Sequence, residues 1–420
     1  MISHERRLKY CVRRPIKNGI GAAAEYDDPS WPRYVRITDI ANPRTLRDDT
    51  FKSLPPEKAQ EAPFNVGDIL AAAVGATFGK TYLHCRDIGP AAFAGYLVRI
   101  SPSHDFDSRF VAYWSESRHY WDQVNTSVVQ STIQNFSAAK YEELRLPAPP
   151  FTIQRAVADY LDRETARLDG LVAAKERVLG LLAEKRRAII TRAVTRGIDP
   201  QTPLRDSGIP WIGEIPAHWE TRRVAWLFRE RDERGEPDLP LLEVSINAGV
   251  VLREFAEDRI ESTAADFNTY KVAREGDIVF NKMRMWQGAV GVAPREGLVS
   301  PDYVVAAPTG PMSSGYAGLL FRTDMFSAEC ARRSHGIVWD RLRLYWEGFR
   351  EIELPLPSPD TQAAIIAQVA KSTGKLDALR SATQRTIALL KERRAALITA
   401  AVTGWIDVGS AASGHRDGVE

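Results

Sequence analysis

Within one six-residue stretch, Lys282, Arg284, Trp286 and Gln287 combine two cations, a planar aromatic and an amide. Arginine and lysine suit phosphates and guanine edges, and glutamine suits adenine, so the chemistry on offer is contact with nucleic acid. A weaker set, Lys80, Thr81 and Tyr82, stands in the first third of the chain. Both sets follow a Gly-Asp-Ile turn, at residues 67–69 and 276–278. For any single one of these residues a solvated loop around a half-covered side chain is an equal alternative.

Catalytic chemistry finds no such footing. Phe78-Gly79-Lys80-Thr81 ends like a phosphate-binding loop, but that motif needs a glycine where Val74 stands. Asp28-Pro29-Ser30-Trp31 departs from an adenine-methylation motif at its third position and reads as a surface turn. The histidines lack HExxH spacing, and His84 beside Cys85 reads as packing rather than metal ligation. We assign no catalytic residue and no metal ligand.

The elements that must position the two loops announce themselves as a repeat. Residues 144–199 and 352–407 align without a gap at an offset of 208 (352 − 144 = 407 − 199), with 23 of 56 positions identical. A repeat this clean divides the chain into two similar halves. Apolar residues recur at helical steps, at Val157, Leu161, Leu168, Leu171, Val178, Leu182 and Ile189, then at Ile365, Val369, Leu376, Leu379, Leu390 and Leu397. They define the seam of two long helices. Val157 to Val194 alone would span roughly 57 Å at 1.5 Å per residue. Glu164, Lys175 and Lys185 interrupt the stripe, which disfavours an isolated parallel zipper. A chain that leaves by one helix and returns by the other suits an antiparallel pair.

The segments divide as a first head at 1–145, a helical spacer at 146–198, a linker and Trp/Pro strap at 199–220, a second head at 221–353, a second spacer at 354–407 and a disordered tail at 408–420. In the first head, residues 34–38 alternate as a strand would, and the aromatic run 106–124 suits a helix. The overall class is α+β. A net charge of +2 confines any basic surface to a local patch. Three scattered cysteines argue against a disulfide framework and for a reducing, cytoplasmic compartment. The longest apolar run, residues 69–78, is about half a membrane span.

Taken together, the LPxPxxxxQ segments at 146–154 and 354–362, the LLxExR and AVT segments, and the SGIPWIGEIPAHW strap at 207–219 resemble the specificity subunits of type I restriction-modification enzymes. The resemblance covers essentially the whole chain, except that no copy of the strap precedes the first head. There Arg6-Arg7-Leu8-Lys9 is set against Thr221-Arg222-Arg223-Val224. It implies two mixed α/β target-recognition domains, an antiparallel coiled coil of two spacer helices with a pseudo-two-fold repeat, and double-stranded DNA as ligand. Each head is expected to read one half of a split, asymmetric site, with the helices setting the gap. It also implies two methylation subunits and, where present, restriction subunits as partners. S-adenosylmethionine, ATP and Mg would act on those partners and no cofactor on this chain. The competing reading is a two-headed coiled-coil adaptor for proteins, without DNA specificity.

Overall fold

Each repeat is free of proline after its first turn, and each becomes one unbroken helix, Phe151–Arg196 and Pro359–Val402. Pro359 occupies the first turn of the second, where its missing N–H costs nothing. Gly197, just past the first helix, adopts φ +75°, a left-handed conformation that ends helices readily in glycine. The computed structural model describes residues 4–129, 135–253, 267–336, 342–406 and 408; the tail from 409 onward lies outside them.

The chain forms two units, residues 1–176 with 384–420, and residues 177–383. Each unit thus takes one head and one end of each long helix, and no separate helical body is left over. In the first unit Arg394 reaches Asp169 at 3.0 Å and Lys391 reaches Glu176 at 3.3 Å. As one helix ascends its partner descends, so the two ends run antiparallel. In the second unit Arg186 faces Asp377 at 3.6 Å, while Ile190 and Val194 share a core with Ile365 and Val369 further along. That pairing is antiparallel too.

The observed seam differs from the expected stripe. Leu171, Val178 and Leu379 are exposed, at 42%, 36% and 50%. Val157, Leu161, Leu168, Leu182, Ile365 and Val369 are buried, and Ile189, Leu376, Leu390 and Leu397 are half-buried. The inward residues of the first helix step through Leu161, Thr165, Leu168, Val172, Lys175, Leu179 and Leu182, alternating four and three. That is the 3.5-residue period of a paired helix, which Leu171 and Val178 do not follow. On the second helix Thr373, Thr383, Ile387 and Ile398 fill inward places.

The heads share a topology that their sequences hide. The first carries a four-stranded antiparallel sheet in the order Lys17–Asn18, Leu97–Ile100, Ile69–Ala72, Thr81–Leu83. The second repeats it as Phe228–Arg231, Tyr303–Pro308, Ile278–Asn281, Val290–Val292. The Gly-Asp-Ile turns sit at matching places. Asp68 accepts the Asn65 N–H at 2.9 Å and pairs with Arg13 at 2.9 Å; Asp277 accepts the Arg274 N–H at 2.8 Å and pairs with Arg231 at 2.8 Å. Both carboxylates are buried, and an arginine partner together with a backbone donor satisfies each.

Local details correct the sequence reading in three places. The strand at Arg33–Val35 stops before the turn made by Arg36 and Asp39. The aromatic run breaks into Ser108–Glu116 and Arg118–Val129, because the Ser117 hydroxyl bonds the Trp114 carbonyl at 2.6 Å. The edge strands Glu5–Arg7 and Glu220–Arg223 pair with Arg145–Pro147 and Glu353–Leu356. Arg6 lies opposite Leu146 and Arg222 opposite Leu354, so Arg6 corresponds to Arg222 and not to Thr221. A one-residue slip of this kind reverses which side chains face the core. The strap folds as a hairpin, Leu204–Asp206 with Glu214–Pro216, and inserts Ile209, Ile215 and Trp219 into the core of the second unit. Among the described residues no helix is long and apolar enough to cross a membrane, and no group of three or more His, Cys, Asp or Glu could hold a metal ion.

One contact fixes each head to its following helix. Gln154 accepts the Asp107 N–H at 3.1 Å and donates to the carbonyls of Asp105 at 3.0 Å and Pro149 at 2.9 Å. Gln362 accepts the Ser313 N–H at 2.7 Å and donates to Pro311 at 3.1 Å and Pro357 at 2.9 Å. Both amides are buried. Gln154→Ala or Gln362→Ala should each lower stability by about 2–4 kcal/mol, since each strands buried backbone groups. Hydrogen exchange should speed near residue 107 in the first variant and near 313 in the second. Unchanged protection at those sites would refute the clamp.

Candidate nucleic-acid interface

The hairpin that follows Asp277 ends in a loop built to hold its shape. The Asn281 side-chain oxygen accepts the Met283 N–H at 2.9 Å, and its carbonyl accepts the Arg284 N–H at 3.0 Å. Met285 is fully buried and anchors the single turn Met285–Gln287. Gly288 closes it at φ +83°, a region closed to most side chains. The Trp286 indole N–H donates to the Met283 carbonyl at 3.0 Å, leaving its ring half-buried.

This scaffold divides the four candidate side chains. The Lys282 ammonium lies 6.0 Å from the centre of the Tyr345 ring, and Arg284, two residues on, is exposed. The Lys282 carbonyl accepts the Leu344 N–H at 2.9 Å, which brings a second segment alongside. That segment adds exposed Arg343, whose guanidinium lies 3.9 Å from the Met283 sulfur, and exposed His335, bonded to Arg343 through the backbone in both directions. Among the described residues no carboxylate pairs with Lys282, Arg284 or Arg343, so the patch is a cationic surface with an aromatic at its edge. Arg343, Tyr345 and His335 were missed from sequence. The only signal was a diffuse basic and aromatic composition, with nothing to link it to a loop some sixty residues away.

Gln287 belongs elsewhere. It lines a cleft of about 440 Å³ in the second unit, together with Arg186, Arg187, Arg322 and Arg380. In the first unit, exposed Lys80 lies at a cleft of about 460 Å³ with Trp121, Glu116, Lys391 and Arg394. Lys391, Arg394 and Ala395 of that cleft stand 208 residues after Ala183, Arg186 and Arg187 of the other, so the two occupy matching places in the repeat.

Thr81 and Tyr82 do not join Lys80 at the surface, contrary to expectation. Thr81 is 7% exposed and its hydroxyl meets that of Ser115 at 2.7 Å; Tyr82 is 4% exposed and its hydroxyl lies 3.2 Å from His84 Nδ1. Burial pushes the Tyr82 phenol up to about 12. The strand Thr81–Leu83 is covered on both faces, with Tyr82 in one apolar cluster and Thr81 and Leu83 against the other side, so only Lys80 before it stays outside. His84 is a core residue against the Phe64 ring, 4.8 Å away.

The comparisons with known proteins agree on one kind of protein. No family model matches the chain. The specificity subunit of the type I restriction enzyme EcoKI, from Escherichia coli (strain K12), is 21% identical over 305 residues, 68% of this chain and 63% of that protein. The StySPI specificity subunit of Salmonella potsdam is 22% identical over 188 residues, 44% of this chain and 40% of that protein. The matched stretch therefore spans less than two thirds of either curated relative. Among solved structures, a chain from work on complex assembly and conformational transition of the type I R-M system aligns over 96% of this chain and 98% of its own, with TM-score 0.69 and 16% identity. The HsdS subunit from Thermoanaerobacter tengcongensis aligns over 96% and 97%, with TM-score 0.50 and 16% identity. The chain is similar to type I specificity subunits in sequence and shares its fold with these solved chains.

Neighbouring residues at the first loop should separate cleanly. Thr81→Val removes a buried hydroxyl contact and should cost about 0.5–1.5 kcal/mol while leaving any nucleic-acid affinity unchanged. Lys80→Ala should do the reverse. A denaturant titration beside a binding titration checks both, and an affinity loss in Thr81→Val at full stability would return that side chain to the interface.

Proposed function

We propose that this chain is the DNA sequence-recognition subunit of a type I restriction-modification complex and carries no chemistry of its own. The observation that supports it best is the combination of two heads with one topology and unlike exposed loops, each clamped by the same glutamine contact to a repeated helix. Shared scaffolds with different surfaces suit two readers of different half-sites. The heads at residues 1–145 and 221–353 act as target-recognition domains, and the helices at 146–198 and 354–407 hold them. Lys80 serves the first head, and Lys282, Arg284, Trp286 and Gln287 the second.

The partners follow from that role. Two methylation subunits would dock on the helices and heads and supply S-adenosylmethionine-dependent adenine methylation. Restriction subunits, where present, would supply ATP- and Mg-dependent cleavage. The compartment is the cytoplasm, where DNA and these partners meet.

Gel-shift titrations of the full chain, with and without a methylation subunit and at one stated salt concentration, should show sequence-selective binding to duplex DNA. Lys282→Ala or Arg284→Ala should cost about 1–3 kcal/mol for a base contact, or weaken all sequences alike for a phosphate contact. Preference at the first half-site should stay intact in both variants. Mapping methylated adenines in the source genome should give a split, asymmetric motif; a palindrome, or indifference to sequence in the gel shift, would sink the proposal.

A further inference from the structure

We infer that the cationic cleft of the second unit seats a phosphate oxyanion of the DNA backbone, an inference that rests on the DNA-recognition reading above. The cleft is walled by both long helices and by the head. Its cations are Arg186 and Arg187 on the first helix, Arg380 on the second, and Arg322 at the end of Ser314–Phe321. Asp377 answers Arg186 at 3.6 Å, and Asp324 is the other acid in the wall. Four guanidinium groups against two carboxylates leave a net excess of positive charge. Among the described residues Arg187, Arg322 and Arg380 have no carboxylate partner. One nitrogen of Arg322 donates to the carbonyls of Ile246 and Asn247, which orients the group without neutralising it.

In the matching cleft of the first unit the cations carried by the helix are paired with carboxylates. There Arg394, the repeat counterpart of Arg186, pairs with Glu116 at 2.8 Å as well as with Asp169 at 3.0 Å. The head helices Ser108–Glu116 and Ser314–Phe321 start 206 residues apart (314 − 108 = 206), and the same step (322 − 116 = 206) sets Arg322 where Glu116 stands. Likewise Ala395 stands where the second cleft has Arg187. The helix cations of the first cleft are therefore each paired, Lys391 with Glu176 and Arg394 with Glu116 and Asp169, whereas the second cleft sets Arg322 toward Arg186 and leaves Arg187 and Arg380 without a carboxylate among the described residues. Burial, and then the neighbouring Arg186, press the Arg322 pKa down. Arg322 stays exposed at the cleft, within reach of an anion that would relieve its like-charge contact with Arg186.

The fork geometry of guanidinium suits phosphate oxygens, and a cleft of about 440 Å³ admits a strand's phosphate beside the helices. Gln287 at its rim belongs to the loop that also carries Lys282 and Arg284, so a strand read by that loop would pass the cleft. Contacts of this kind position a duplex without reading it. A free phosphate offers the same oxyanion, and the experiment separates the two sources.

The test uses the full chain and the variant Arg187→Ala/Arg380→Ala, both sites being exposed and outside the core. Affinity for cognate and scrambled duplexes should fall by one common factor, and the slope of log K against log salt should shrink by about 1–2. The sequence preference should be unchanged, which also reports that the variant is folded. The complementary variant is Ala395→Arg in the first unit, which should not weaken binding. An unchanged affinity and salt slope, in a double variant that still selects its sequence, would overturn the inference and leave the DNA-recognition reading standing. Loss of selectivity in the unmodified chain would instead remove that reading. Saturable binding of inorganic phosphate, weakened in the double variant while duplex affinity is not, would assign the cleft to a free anion and overturn the DNA source. Unchanged DNA binding with weaker capture of a methylation subunit would assign it to a protein carboxylate, and overturn it as well.

Discussion

The structure depends on a constraint of reciprocity: each copy of the repeat must be the packing partner of the other. Asp169 takes Arg394 and Asp377 takes Arg186, and each residue of one pair stands 208 positions from its counterpart in the other. The same surface therefore meets itself twice, as in a self-complementary dimer interface, but inside one chain. This explains a feature that amphipathicity alone does not. A helix that merely covered a core would need its apolar positions and could let its polar ones drift. Here Asp169 and Asp377 with Arg394 and Arg186 meet across the seam, and Gln154 and Gln362 clamp a head.

These polar contacts act by selection more than by energy. The ion pairs are at least partly open to solvent, and such pairs contribute about 0–1 kcal/mol. The apolar burial of Ile365, Val369, Ile398 and Val402 carries more of the stability. An apolar seam by itself, however, tolerates sliding by a heptad. The Asp–Arg pairs and the buried glutamines each have one position at which they are satisfied, so they set register. The first unit adds a further lock. Arg44, Arg109 and the Tyr113 hydroxyl converge on Asp162, each within 2.8 Å. Burial opposes the charge on that carboxylate, but these donors outweigh it and lower its pKa. The second copy has Ala370 at the matching place and lacks that lock.

How much of this was legible in sequence follows from the range of the interaction. The helices were, because period and offset are local and repeated. So was the strap, whose Trp and Ile residues cluster within a few positions. The shared topology of the heads was visible only at the Gly-Asp-Ile turn, where a buried Asp and a tight hairpin demand particular residues; elsewhere a strand needs only to be apolar, and many sequences satisfy that. The seam was misplaced at Leu171, Val178 and Leu379 because apolar side chains also occur on helix surfaces, and only a partner decides between inside and outside. Thr81 and Tyr82 failed for a related reason. Their strand is covered on both faces, and only the packing of distant elements decides that. Arg343 and Tyr345 were out of reach, since their place beside Lys282 depends on the backbone of a distant segment.

The two clefts show how a duplicated frame permits divergence. Positions that touch the other copy are held by reciprocity, whereas positions that face a head answer only to that head. Arg394 has Glu116 before it, and Arg186 has Arg322. The helix residue is the same in both, so the change of sign at that contact lies in the head. A frame of this design lets each head alter its own surface, and even the charge of the cleft it shares with the helices, without disturbing the register of the pair. Unlike heads on like helices are the arrangement that follows, and it is the one an asymmetric ligand requires.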